Sequence, residues 1–216
     1  EFLMGDNHGL GSADELPVHK VYLDSYKISK YEITYAQFDK FFRANSEMRT
    51  YYEGHGQDHP VTMVRRYEVD FFCEWVTEYS GKYINLPTEA QWEKAARGID
   101  QRLYPWGDES PDCGKVNYNN CIGKTSPVGS YPGDISYYGV MDMGGNVSEL
   151  TYDAYQEDFY SVSPYSNPLR HESDHNDYRV LRGGNWGSSD LRASRRESLH
   201  PMRFRDYIGF RVIWID

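Results

Sequence analysis

The chain has 216 residues, a net charge of −10, 39% apolar and 26% charged residues, and a mean hydropathy of −0.77. The acid excess argues against a nucleic-acid partner, because affinity for phosphate backbones comes chiefly from Lys and Arg. The low hydropathy and the lack of any apolar run near ~18 residues exclude a transmembrane helix.

At 25.2 kDa the chain can bury roughly three quarters of its extended surface, so no disulfide or metal is needed merely to make a core. Aromatic residues make up 16%, including 20 Tyr, and the 19 Gly and 10 Pro follow no period. That combination describes one loop-rich globular domain, residues 1–216, with aromatic-filled packing. Cys113 and Cys121 lie close enough for one short bridge in a Gly/Asn-rich loop, whereas Cys73 sits on an apolar helical face as a buried thiol. Glu1-Phe2 opens without a basic-then-apolar leader, which is either lacking or removed.

In chain order, residues 2–5 and 18–33 read as strands from their rough alternation. Thr34 and Gln37 form a capping box, with Ile33 and Phe38 as a staple, opening a helix that turns Phe38, Phe41 and Phe42 inward and ends near Asn45. A second helix spans 68–79 and is closed by Gly81. A third follows the capping box of Thr88 and Gln91 and stops at Gly98. From about 100 to 175 the helical signal is lost among turn residues and short aromatic runs, and strands are expected at 178–182 and 208–215.

Asp142 and Glu149 bracket Gly144-Gly145, and two carboxylates beside the carbonyls of a tight loop suit a hard cation such as Ca²⁺. The same acids could equally cap backbone amides. Between Arg179 and Arg211 eight Arg face three acids (Asp190, Glu197 and Asp206). This is either a cationic patch for carboxylate, phosphate or sulfate groups, or a set of guanidinium groups tying down loop carbonyls. The tying role suits Arg182, Arg195 and Arg211, while Arg192, Arg196, Arg203 and Arg205 fit either. His171, His175 and Asp177 have the ligand types of an iron site, but no helical periodicity makes them converge, and a solvated loop is the expectation.

A series of motifs in fixed order resembles the formylglycine-generating-enzyme (sulfatase-modifying factor) domain family along the whole chain. It runs Phe2-Leu3-Met4-Gly5, Glu15-Leu16-Pro17-Val18-His19, Lys30-Tyr31-Glu32-Ile33-Thr34, Phe72-Cys73-Glu74-Trp75 and Leu86 to Glu93. It continues through Tyr104-Pro105-Trp106-Gly107, Pro127-Val128-Gly129-Ser130, Gly139 to Glu149, Arg182-Gly183-Gly184-Asn185-Trp186 and Gly209-Phe210-Arg211-Val212. The resemblance implies an α+β fold with little regular structure, related to C-type lectin-like domains. It also implies structural calcium, held in one site by the side chains of Asp142 and Glu149 and the carbonyls of Gly145 and Val147. A second calcium would lie at Asn117, Tyr118, Asn120 and Ile122, in a loop shorter than that of the catalytic members.

The departures are as informative. Enzymes of the family bind copper with two thiolates, and the matching positions here are Ser188 and Ala193, so no copper and no formylglycine generation by that route is expected. Ser148 also stands where an aromatic is common. The resemblance then points to a non-catalytic module that binds a protein or small-molecule ligand through the loop 187–207. Two groups use the fold this way: silent paralogues and the variable proteins of diversity-generating retroelements. The expected ligand-binding residues are Ser188, Ser189, Asp190, Arg192, Ser194, Arg196, Glu197, Leu199, Met202, Phe204 and Asp206. The alternative is an enzyme of different, non-thiolate chemistry maturing a peptide or small molecule, with His200, Glu197 and Asp190 as acid–base candidates. Calcium and a Cys113–Cys121 bridge would both suit a periplasmic, cell-surface or secreted setting.

Overall fold

A computed structural model describes residues 1–45, 56–172, 174 and 177–215. Strand β1 (Phe2–Met4) pairs antiparallel with β2 (His19–Val21) as a two-stranded sheet. Strand β3 (Lys27–Ile28) pairs instead with β9 (Ile213–Ile215), which also carries β4 (Tyr83–Asn85). The single strand expected over 18–33 is therefore two short ones. The chain leaves one sheet for another, and Tyr22 bonds across to Tyr165 and Asn167 between them. The run expected at 208–215 is likewise split into β8 (Ile208–Phe210) and β9, because Arg211 turns inward between them.

The helices follow their local signals. In α1 (Tyr35–Ala44), Thr34 Oγ1 accepts from Gln37 N while Gln37 Oε1 accepts from Thr34 N. Helix α2 (Arg66–Ser80) starts slightly earlier than the pattern indicates and ends at Gly81, whose φ of 69° is the left-handed cap. Helix α3 (Glu89–Arg97) has the expected box at Thr88. Phe38 of α1 packs on Phe72 of α2 and on Phe210 of β8, with ring centroids 5.1 and 5.8 Å apart. Burial of such rings contributes about 1.5–3 kcal/mol each and seats both helices on the sheet.

The main sheet runs β7-β6-β5-β8, from β7 (Arg196–Leu199), β6 (Arg179–Arg182), β5 (Ser148–Ala154) and β8. A short helix, α4 (Phe159–Val162), follows β5. Strand β5 lies inside the stretch read as irregular, and β7 inside the presumed binding loop. The sequence of β5, Ser-Glu-Leu-Thr-Tyr-Asp-Ala, has too many polar residues to read as a strand buried on both faces. It is buried because distant partners satisfy it: Thr151 donates to Val180 O, and Asp153 accepts from the amides of Glu89 and Arg170.

Candidate functional site

Beneath the C-terminal segment lies a lattice of buried ion pairs. Helix spacing puts Glu89, Glu93 and Arg97 on one face of α3. Arg182 of β6 donates to Glu89 Oε1 (3.1 Å), Glu93 Oε2 (2.5 Å) and the carbonyls of Ala193 and Ser194 (2.7 and 3.1 Å). Arg196 grips Glu89 (2.6 and 3.0 Å) and Asp14 O (2.7 Å), its guanidinium 4.4 Å from the Tyr160 ring centre. Arg192 holds Glu15 with both terminal nitrogens (2.7 and 2.9 Å) and Asp190 as well. Burial alone would raise the Glu89 carboxyl, but Arg196 and Arg182 outweigh it and hold the group below its usual range.

This lattice corrects part of the expected ligand set. Arg192, Ser194 and Arg196 are buried, so they face the interior and anchor the loop, since guanidinium groups placed opposite carboxylates of α3 and residue 15 are drawn in as pairs. Arg182 and Arg211 tie down carbonyls as read, and Arg195 donates to Gly183 O. The outward residues fall into two groups. Ser188, Ser189 and Asp190 form a loop fastened to residues 119–120, where Asn119 N donates to Ser188 O and Asn120 N to Trp186 O. Glu197 joins this group, because Arg195 contacts both it (2.9 Å) and Asp190 (3.9 Å). Met202, Phe204 and Asp206 belong to a second loop, held by Met63 N to Arg205 O and by the Arg65 guanidinium over the Phe204 ring. Leu199 instead packs against the aromatic core.

The acid–base candidates do not form one constellation. His200 stands edge-on to Tyr178 and accepts from Met202 N through Nδ1, whereas Asp190 and Glu197 are shared by Arg195. His175 of the His171–Asp177 motif lies outside the described residues. Cys113 and Cys121 are bridged, and Cys73 is buried, with desolvation pushing its thiol up to about 12.

The Gly144-Gly145 turn is pressed against Gly183-Gly184, with Gly184 N donating to Gly144 O. A Cβ on Gly145 would stand 2.4 Å from Asn117 O, and one on Gly184 2.6 Å from Gly144 O, so both motifs need glycine for backbone approach. Around this seam four carboxylates gather near one cation. Glu149 is held by Arg211 (2.6 and 2.7 Å) and by Trp92 Nε1 (2.8 Å). Asp142, at φ 60°, accepts from Gly129 N. Asp134 caps the amides of Gly144 and Gly145, and desolvation together with Asp142 pushes it up to about 8. Glu32 Oε1 accepts from Asn146, and burial with Asp142 and Glu149 nearby holds its carboxyl well above the usual range.

Among the described residues, Asn117 Oδ1 is buried without a hydrogen-bond partner, while the Glu32 carboxyl, raised by burial, lies in hydrogen-bond reach of the Asp142 carboxylate. No group of three or more His, Cys, Asp or Glu there converges as metal ligands, so a cation at Asp142 and Glu149 would need backbone carbonyls to complete its shell. Sequence spacing missed Glu32 and Asp134, because each reaches the seam from a separate loop. Of the second expected calcium set, Asn117 faces this seam, Tyr118 donates to Pro111 O, Asn120 lies in the bridged loop and Ile122 just beyond it.

Residues 1–215 match the model of the sulfatase-modifying factor enzyme 1-like domain. The serine/threonine-protein kinase pkn1 of Chlamydia caviae is 34% identical over 236 residues, covering 98% of this chain and 36% of that protein. The hercynine oxygenase of Mycolicibacterium thermoresistibile is 35% identical over 169 residues, covering 73% of this chain and 36% of that protein. The chain thus spans about a third of the length of these relatives. Among solved structures, PvdO from Pseudomonas aeruginosa superposes with a TM-score of 0.87 at 26% identity, over 99% of this chain and 90% of that one. Treponema denticola variable protein 1 gives 0.79 at 21%, over 98% and 91%, and so shares the fold. The mixed helix-and-sheet architecture is that of these neighbours, and the chain belongs to the sulfatase-modifying factor enzyme 1-like domain family.

Proposed function

We propose that this domain is a binding module that uses the formylglycine-generating-enzyme scaffold without its copper chemistry. The observation that carries the reading is the disposition of the cysteines. Of the three in the chain, two are joined to each other and the third is a buried, protonated thiol, which leaves no thiolate pair for Cu(I). The ligand surface is the outward part of the C-terminal segment: Ser188, Ser189, Asp190 and Glu197, with Met202, Phe204 and Asp206 beyond β7. The buried Arg192 and Arg196 anchor the first part of this surface to Glu15 and Glu89, and such anchoring lowers the ordering cost of binding. Likeness to a variable protein supports the same reading.

Calcium at Asp142 and Glu149, with the carbonyls of Gly145 and Val147, is proposed as a structural ion. The crowding of buried carboxylates around the seam and the unpartnered Asn117 oxygen support this reading, in which the ion would share Glu149 with Arg211. The Cys113–Cys121 bridge supports an extracytoplasmic, oxidising setting.

A second reading, an enzyme of different chemistry, is favoured by the likeness to hercynine oxygenase. One experiment separates them. The purified chain is tested for oxygen uptake with a cysteine peptide, reductant and added copper or iron, and for binding on arrays of glycans and protein fragments. The module reading expects no uptake, and array hits that disappear in a Ser189→Arg/Asp206→Arg variant of unchanged melting temperature. Metal-dependent uptake above that of a protein-free control, or hits indifferent to the variant, would overturn it.

A further inference from the structure

An apolar groove of about 650 Å³ opens between α1, α2 and the β3-β9-β4 sheet, away from the C-terminal loop. Its long wall follows from helix spacing. Phe72, Trp75, Val76 and Tyr79 stand at i, i+3, i+4 and i+7 of α2, a stripe that starts in the core at Phe72 and runs out to Tyr79, which is 83% exposed. Trp75 and Tyr79 stack with ring centres 5.8 Å apart, and Val212 and Trp214 form the opposite wall. The rim carries Lys30, Lys40 and Lys82. Among the described residues neither Lys30 nor Lys40 is in an ion pair, and the carboxylate that borders the groove, Glu32, is 1% exposed and turned towards Asn146. An acidic chain therefore presents a cationic rim around an aromatic slot.

We propose that this groove is a binding site for a small amphipathic anion, its acyl or aryl body lying against Trp75, Tyr79 and Trp214 and its acidic head paired with Lys30 and Lys40. The volume lies within the range of small-molecule sites, about 300–1,000 Å³. A protein partner would instead bury a broad surface of roughly 800 Å² a side. Apolar burial supplies the affinity, and the lysines select the sign of the head group.

The test is calorimetric titration of the full chain with sodium decanoate below its micelle concentration, beside decyltrimethylammonium and decanol. The variant is Lys30→Glu/Lys40→Glu, both exposed positions, with its melting temperature checked. The expected result is saturable binding of one decanoate, weakened about tenfold or more by the charge reversal and by high salt, with the cationic amphiphile inert. The proposal is overturned if decanoate fails to bind, if the variant binds it equally, or if decyltrimethylammonium or decanol binds as well. A dimer that Tyr79→Lys converts to monomer would assign the groove to a second copy and overturn it too.

Discussion

Arg196 and Glu89, 107 positions apart, are joined by two hydrogen bonds of 2.6 and 3.0 Å in a space where both side chains are closed to solvent. This pair fastens the first residue of β7 to the first turn of α3, and so fixes the base of the proposed ligand surface.

Removing Arg196 takes away the two-bond partner of the buried Glu89 and leaves that carboxylate with Arg182, itself shared with Glu93. Arg196→Ala is expected to cost about 3–5 kcal/mol, a cost typical of breaking a buried pair. Urea denaturation of the variant checks this, and a loss under about 1 kcal/mol would mean that the pair is dispensable. Because the Glu89 carboxyl is held below its usual range, its contribution is present above the unfolded carboxylate value and is lost as pH falls through the depressed one.

Asp153 works in the other direction. Burial, with Glu89 beside it, pushes its carboxyl up to about 7 from 3.8. Between these values the folded state keeps a proton that the unfolded state has released, so this group lowers stability as pH rises across the window. Asp153→Asn removes the titration and keeps an oxygen for one of the two amides, since Glu89 N and Arg170 N reach different carboxylate oxygens, so the variant is less stable than the parent at low pH. Melting temperature against pH should therefore fall less steeply from about pH 4 to 7 in the variant than in the parent. Parallel curves would contradict the assignment.

Calcium is best measured first by metal analysis of the purified protein, with one ion per chain expected at Asp142 and Glu149 and two if the loop at Asn117 to Ile122 also binds. Chelation should lower the melting temperature by several degrees, since a ligand at about 100 times its Kd adds about 2.7 kcal/mol. Calcium should restore it, and Asp142→Ala should lose the response. Stoichiometric copper would instead point to a redox site.

Thiol titration tests the cysteine assignments. The native chain should show no reactive thiol, the unfolded chain one, and the reduced, unfolded chain three, following the Cys113–Cys121 bridge and the buried Cys73. Replacing both bridged cysteines by Ser should cost up to about 2.5 kcal/mol, from closure of so short a loop. Three reactive thiols in the unreduced unfolded chain would mean that the bridge is not formed.

The sequence by itself determined the three main helices, because their signals are local. Thr34 with Gln37, Thr88 with Gln91, and Gly81 each act within a turn or so of backbone. It also carried the family, through motifs whose order survives along the chain, and the inward face of Phe38, Phe41 and Phe42. Only the tertiary structure decided the strand β5 and the fate of the arginines. A Glu or Arg in the sequence bears no mark of which distant group will neutralise it, and burial of charge depends wholly on that partner. Arg192 and Arg196 read equally well as ligand contacts until Glu15 and Glu89, far away in the chain, were brought against them. The gathering of Glu32 and Asp134 around Asp142 was hidden for the same reason: three loops meet there, and no spacing within any one of them records the meeting.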